Sequence, residues 1–121
     1  MPRVIHFEIL ADDPQRAIEF YTKVFGWGIK KWEGPMDYWL VNTGPENQPG
    51  IHGGIMNRQH PASCINTIDV PSVDDFAAKI KKQGGKILGK KMPIPGVGWH
   101  MYCRDTEGNI IGILQMDKSV K

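Results

Sequence analysis

The chain has 121 residues, of which 40% are apolar and 23% charged, and a net charge of +2. These values are ordinary for one globular domain, 1–121, and leave little room for a second. No apolar run reaches the ~18 residues of a membrane span, and the N-terminus lacks the pattern of a signal peptide. We therefore expect a soluble cytoplasmic protein with no membrane partner, and reduced thiols at Cys64 and Cys103, which form no CxxC motif.

Basic residues alternate with acidic ones except in a single cluster. Its members are Lys79, Lys81, Lys82, Lys86, Lys90 and Lys91. A nucleic-acid-binding surface is usually a denser basic face with aromatic side chains for base stacking. The cluster instead indicates a solvated helix face and an edge strand that is protected by lysines. We expect no nucleic-acid partner.

The first half of the chain predicts a strand, a helix and three further strands. From Val4 to Leu10 the residues alternate, so that Ile5, Phe7 and Ile9 point to one side of a strand and His6 and Glu8 to the other. A helix follows, with Asp12 or Asp13 as its cap, Pro14 at its first position and Gly26 at its end. The next three strands are predicted at 27–32, 37–42 and 51–57.

The second half repeats this order, with a strand at 65–70, a helix from Ser72 to Gly84, and strands at 86–92, 98–104 and 110–116. A shift of 59 residues places Ile65 under His6 and Gly85 under Gly26, and with a small insertion Gly112 falls under Gly54. The repeat covers about 3–58 and 62–117. The predicted fold class is α+β, with two βαβββ modules forming a curved mixed sheet around a concave ligand cavity.

Several motifs resemble those of the vicinal-oxygen-chelate (glyoxalase/bleomycin-resistance/dioxygenase) superfamily, in a glyoxalase-related branch of unassigned activity. They are HFEILADDPQRAIEFYTKVFGW, PGIHGGIM, KIKKQGGKI, IPGVGWHMYCRDTEGN and IIGILQ, which together extend from His6 to Gln115. The resemblance implies the glyoxalase-like fold. It does not determine the activity, because the family contains isomerases, dioxygenases, epimerases, thiol transferases and antibiotic-sequestering proteins.

The resemblance also implies four metal-binding positions, which correspond here to His6, Gly54, Ile65 and Gly112. Of these side chains only His6 has a donor atom, whereas a divalent ion needs several converging N, O or S donors. We therefore expect no metal cofactor at the usual site. Metal-dependent glyoxalase I isomerisation is disfavoured as well, because it needs a metal and a carboxylate at these positions.

A displaced metal site is the alternative. His6, Glu8 and His52 have the composition of a two-histidine, one-carboxylate site for a divalent metal. In the competing interpretation His6 and His52 only line a pocket and Glu8 pairs with a nearby donor. His60 and His100 have no companion donors at ligand spacing and are expected at the surface or in packing.

The predicted ligand site lies on the concave face. The glycines leave room on its floor, and the tryptophans supply apolar walls. The candidate ligand-binding residues are His6, Glu8, Trp39, His52, Gly54, Trp99 and Gly112, and the candidate catalytic residues are Glu8 and His6.

Three hypotheses for the function follow. The first is a protein that binds a small organic molecule in a metal-free cavity. The second is a lyase or isomerase that uses Glu8 or His6 as a general base, with or without a displaced metal. The third is a structural or interaction module. A homodimer is expected, both from the resemblance and because exposed strand edges need a partner or a guard.

Overall fold

The computed structural model describes all residues 1–121 and divides the chain into two compact units. The first unit is His6–Ile65, and the second unit comprises Met1–Ile5 and Asn66–Lys121. Each unit combines β-strands with one helix, so the predicted α+β class with two βαβββ modules is confirmed. Neither helix is long and apolar enough to cross a membrane.

The ten elements follow the predicted order. They are β1 (Val4–Ala11), α1 (Pro14–Phe25), β2 (Gly28–Lys31), β3 (Tyr38–Asn42), β4 (Gly53–Asn57), β5 (Cys64–Asp69), α2 (Val73–Lys82), β6 (Lys86–Ile94), β7 (Gly98–Arg104) and β8 (Ile110–Met116).

The first unit orders its strands β2-β3-β4-β1, with β1 and β4 parallel and the other pairs antiparallel. Helix α1 begins after Asp13, whose side chain accepts the Arg16 N–H at 3.2 Å, and ends at Gly26 in the left-handed conformation (φ 72°). One core lies between this helix and the sheet. Its residues are Phe7, Ile9, Ala11, Ala17, Ile18, Tyr21, Trp27, Ile29, Trp39, Val41 and Ile55.

The second unit has the equivalent order β5-β8-β7-β6. Ser72 caps α2 by accepting the Asp75 N–H at 3.2 Å. The core on the α2 side contains Ile68, Val70, Val73, Phe76, Ala77, Ile80, Ile87, Trp99, Met101, Cys103, Ile111 and Ile113. Both helices therefore cover one face of their sheet, as the repeat predicts.

Two strands differ by two residues at one end from their predicted bounds, for physical reasons, whereas the others agree to within one residue at each end. Strand β4 begins at Gly53 and not at Ile51, because the Ile51 carbonyl accepts the Thr43 hydroxyl at 2.8 Å and so belongs to the preceding loop. Strand β6 continues to Ile94 through Pro93, with a register irregularity after Leu88. A proline is tolerated there because β6 is the last strand in its sheet order.

The lysine cluster lies where the sequence predicts it. Three lysines are in the last turn of α2, and the other three are on β6. Lys91 Nζ lies 3.1 Å from the Asp74 carboxylate and 5.0 Å from the centre of the Trp99 ring. Lys91 therefore contacts an acid and an aromatic ring of its own unit.

Candidate functional site

The face of the first unit that α1 does not cover carries the candidate polar residues. Phe7 and Ile9 pack on the α1 side, so strand alternation turns His6 and Glu8 to the opposite face. In the strand ladder Glu8 lies beside Gly54 and Gly54 lies beside Leu40. Since Gly54 and Leu40 are in register, Tyr38 also belongs to this face.

Tyr38 reaches across Gly54 to His6. Its hydroxyl and His6 Nε2 form a hydrogen bond of 2.7 Å, and the two rings are stacked with centres 6.4 Å apart. A Cβ atom at position 54 would overlap the tyrosine hydroxyl. Tyr38 can take this position only because residue 54 is a glycine. Its side chain occupies the space above Gly54 that the sequence analysis predicted for a ligand.

The pKa of His6 is lowered from 6.5, first because burial disfavours the charged ring and second because His52 lies within electrostatic range. The ring is therefore mainly neutral at pH 7. A neutral imidazole whose Nδ1 carries the hydrogen accepts the Tyr38 hydroxyl proton at Nε2. The pair can then receive or relay a proton.

Glu8 lies on the same face and is only 6% exposed. It also lies close to the thiol of Cys64, whose pKa is raised mainly by burial and further by the negative charge of Glu8. Burial raises the pKa of Cys103 to about 11. Both cysteines are free thiols, and since each is protonated at neutral pH, neither is an activated nucleophile.

His52 is held in the loop before β4. The Thr43 N–H donates to its Nδ1 at 3.1 Å, which leaves the hydrogen on Nε2 to be donated to Glu46 at 2.8 Å. A polar cleft of about 80 Å³ lies beside this pair. The cleft is much smaller than the ~300 Å³ of a usual ligand pocket, so we do not assign the ligand to it.

The second unit has the same arrangement at its own glycine. Gly112 lies in register with Thr67 and Tyr102. A Cβ atom at position 112 would lie 2.7 Å from His100 Nε2 and 3.1 Å from Thr67 Oγ1. His100 is 6% exposed, and its side chain thus occupies the room above Gly112.

The sequence analysis did not include Tyr38 among the site residues, and it did not predict that His100 lies beside a glycine. The signal that could have found both is the repeat itself. Tyr38 lies two residues before Leu40, which is opposite Gly54, and His100 lies two residues before Tyr102, which is opposite Gly112. Each ring crosses over the glycine on the neighbouring strand.

The orientations expected for Trp39 and Trp99 were wrong. Trp39 packs in the α1-side core and Trp99 in the α2-side core. Successive residues of a strand point to opposite faces, so Trp39 faces away from the side that carries Tyr38 and His6. Trp99 likewise faces away from the side of the second unit that carries His100. The apolar walls predicted from the tryptophans are absent from that face.

The residues at the four family metal positions do not fit a metal ion. Ile65 is fully buried and has no donor atom, and the glycine positions are covered by the rings of Tyr38 and His100. No three His, Cys, Asp or Glu side chains come together as a metal-holding group. A displaced metal at His6, Glu8 and His52 stays a prediction, and it requires His52 to release Glu46 or Thr43.

Comparison with known proteins identifies the family. The profile of the "Glyoxalase/Bleomycin resistance protein/Dioxygenase superfamily" matches residues 3–113. The chain belongs to this superfamily. The resemblance inferred from the motifs is thereby confirmed.

Among curated proteins, the chain is 26% identical over 114 residues to "Putative glyoxylase CFP32" of Mycobacterium bovis, covering 89% of this chain. It spans only 42% of that relative's length. It is also 27% identical over 126 residues to the uncharacterized protein YurT of Bacillus subtilis, covering 93% of this chain and 98% of YurT.

Solved structures with the same fold include methylmalonyl-CoA epimerases. A complex with methylmalonyl-CoA and NH4+ has a TM-score of 0.69 and 16% identity, and the match covers 100% of this chain and 98% of that chain. The Mycobacterium tuberculosis epimerase has a TM-score of 0.67 and 14% identity, covering 92% and 85%. At these identities the similarity shows the fold alone.

Substitution of Gly54 tests the arrangement of Tyr38. We expect Gly54→Ala to lower the free energy of unfolding by about 1–3 kcal/mol, because the new methyl group must displace the Tyr38 ring. Gly54→Ala combined with Tyr38→Ala should lose less than the sum of the single changes, as measured by urea denaturation. Gly28→Ala is the control, since its Cβ would meet only Asn42 at 3.9 Å. Additive losses would contradict the arrangement.

The lowered pKa of His6 predicts a pH dependence of stability. The unfolded state binds more protons than the folded state below the ordinary pKa of 6.5. The free energy of unfolding should therefore be unaffected by His6 above pH 6.5 and should fall as the pH drops from there to the folded pKa. NMR titration of the imidazole gives that pKa, and His6→Gln should reduce the pH dependence. A pKa of His6 above 6.5 would refute this.

Proposed function

We propose that the protein binds a small organic molecule on the face of the first unit that carries His6, Tyr38 and Glu8. The observation that carries this proposal is the hydrogen bond between His6 and Tyr38 above Gly54. It supports binding without a metal ion, because the pair itself offers polar atoms on a partly exposed surface.

The chemistry of the pair favours a ligand with a carbonyl or carboxylate oxygen. Such an oxygen only accepts hydrogen bonds. When the neutral imidazole carries its hydrogen on Nε2 and donates it to the tyrosine oxygen, the Tyr38 hydroxyl hydrogen is available for donation to the ligand. Leu40 lies on the same face and is 37% exposed, which offers apolar contact to the carbon skeleton. Ligand pockets typically combine a few polar groups with apolar contact area in this way.

The related folds suggest which probes to test first. One structural neighbour is complexed with methylmalonyl-CoA, and the name of the superfamily includes bleomycin resistance. We therefore propose methylmalonyl-CoA, bleomycin and the methylglyoxal–glutathione adduct as the first panel, with coenzyme A alone as the control for contacts to the carrier.

A second candidate function is proton transfer, as in a lyase or isomerase of this superfamily. It is favoured by the neutral state of His6, because a neutral Nε2 can take the hydroxyl proton of Tyr38. As that proton leaves, the tyrosine oxygen can take a proton from a carbon atom of the ligand. Glu8 is the other candidate proton acceptor on this face. Solvent deuterium incorporation into a bound ligand would separate this enzyme from a protein that only binds.

Removal of one hydroxyl tests the binding proposal. We expect Tyr38→Phe to weaken binding of a panel ligand by about tenfold, the effect of one lost hydrogen bond of about 1.4 kcal/mol. Tyr21→Phe removes the same atom on the α1 side and should leave the affinity within about twofold. Isothermal titration calorimetry measures both constants. Equal effects of the two changes, or ligand-induced NMR shifts far from His6 and Tyr38, would contradict the site.

Metal-stimulated glyoxalase I activity should be absent. The usual carboxylate positions, which supply a metal ligand and the proton-shuttling base, are Gly54 and Gly112 here, and each is covered by a neighbouring ring. Added nickel or zinc should leave conversion of the methylglyoxal–glutathione adduct at the background rate, as followed by thioester absorbance. Robust turnover that depends on either metal would refute this, and a metal titration monitored by His6 and His52 NMR signals tests the displaced site directly.

A further inference from the structure

Strand β7 of the second unit holds a guanidinium that no acceptor meets. The Nε atom of Arg104 is buried and has no hydrogen-bond partner. In the strand ladder Arg104 lies between Ile110 of β8 and Lys86 of β6. Neither of these side chains can accept a hydrogen bond. A buried donor without an acceptor is destabilising, so its presence at this position needs an explanation.

Arg104 and Lys86 also bring two positive charges together. Directly opposed residues of an antiparallel pair point to the same face, and like charges in that arrangement are destabilising. Ile87 and Cys103 pack in the α2-side core, so Lys86 and Arg104 point to the face of the second unit that α2 does not cover. We call Lys86 and Arg104 the β6–β7 cation pair. None of the ion pairs in the structure includes either of them.

The carboxylate that follows Arg104 in the chain is committed to the next turn. Asp105 accepts the N–H groups of Glu107 at 2.8 Å and Asn109 at 2.9 Å, and its other oxygen accepts the Asn109 side-chain amide at 3.1 Å. The hydrogen bonds from Asn109, and then the one from Glu107, lower the pKa of Asp105. Asp105 therefore closes the turn between β7 and β8 and does not neutralise the cation pair.

The first repeat shows that the fold does not require these cations. Leu40 and Tyr102 are equivalent, because each is in register with the glycine of its own module. Two residues further along each strand, the counterpart of the cation pair is Gly28 opposite Asn42, which is uncharged. Lysines often protect edge strands, which accounts for a lysine on β6, but β7 lies between β8 and β6 and is not an edge. The position of Arg104 therefore has no structural explanation of this kind.

We propose that the β6–β7 cation pair binds a phosphate group on the face of the second unit that α2 does not cover. A guanidinium presents N–H donors in a planar fork that fits phosphate oxygens, and the ammonium of Lys86 adds a second charge beside it. A phosphate group with close to two negative charges at pH 7 compensates both cations, whereas a carboxylate compensates only one. The proposal uses residues of the second unit alone and does not depend on the function proposed for the first.

NMR titration of the full chain at constant ionic strength tests the site, with inorganic phosphate, phenyl phosphate and acetate as probes. We expect phosphate to shift the amide signals of Lys86 and Arg104 and to bind at least about tenfold more tightly than acetate. Binding of phenyl phosphate as well would assign the site to the phosphate group of an organic molecule. Binding of inorganic phosphate alone would assign it to the free anion.

Substitutions that remove one charge each locate the binding groups. Arg104→Gln and Lys86→Gln should each raise the dissociation constant for phosphate at least about fivefold, because each removes one charged donor. Lys81→Gln on α2 is the matched control, since it removes the same charge on the other side of the sheet, and it should change the constant by less than about twofold. Circular dichroism verifies that each variant is folded.

The unfolding midpoint in urea distinguishes a binding role from a structural one. Without phosphate, Lys86→Gln should raise the midpoint, because it removes the contact between like charges. Saturating phosphate should raise the midpoint of the wild type more than that of Lys86→Gln. The proposal is overturned if chloride reproduces the effects of phosphate at the same ionic strength, if acetate binds as tightly, if Lys81→Gln weakens binding as much as the other changes, or if Lys86→Gln lowers the midpoint without phosphate.

Discussion

The sheet face of the first unit depends on the passage of Tyr38 over Gly54. Because position 54 lacks a side chain, the phenol can lie flat across strand β4 and place its hydroxyl against His6. The ring in turn helps to cover the imidazole, and burial keeps that imidazole neutral. The hydrogen bond between Tyr38 and His6 on this face thus depends on one missing Cβ atom.

In both repeats a ring covers a glycine of the neighbouring strand, but the side chains differ. A ring from the third strand of each module crosses the glycine of the fourth strand, but it is a phenol in the first unit and an imidazole in the second. The residue in register with the glycine is Glu8 in one unit and Thr67 in the other. Equal backbone geometry is therefore combined with unequal chemistry in the two units.

The helices could be predicted from the sequence because Pro14, Gly26 and Ser72 mark their boundaries. The fold class and the family could be predicted because the same order of strands and helix occurs twice in the chain. The position of Tyr38 could not. Alternation within β3 allows either Tyr38 or Trp39 to face α1, and only the pairing of Leu40 with Gly54 decides between them. The orientation of His52 could not be predicted from β4 for another reason. His52 lies outside the strand ladder, so strand alternation does not apply to it.

The covered glycines also have an evolutionary consequence. A carboxylate at position 54 would overlap the Tyr38 hydroxyl, and at position 112 any Cβ lies within 2.7 Å of His100. An acidic residue at either position therefore requires the neighbouring ring to move or to be replaced by a smaller side chain. The effects on stability of substitutions at each glycine and at the ring that covers it are therefore coupled, so that a smaller side chain at the ring position changes which residues the glycine position tolerates.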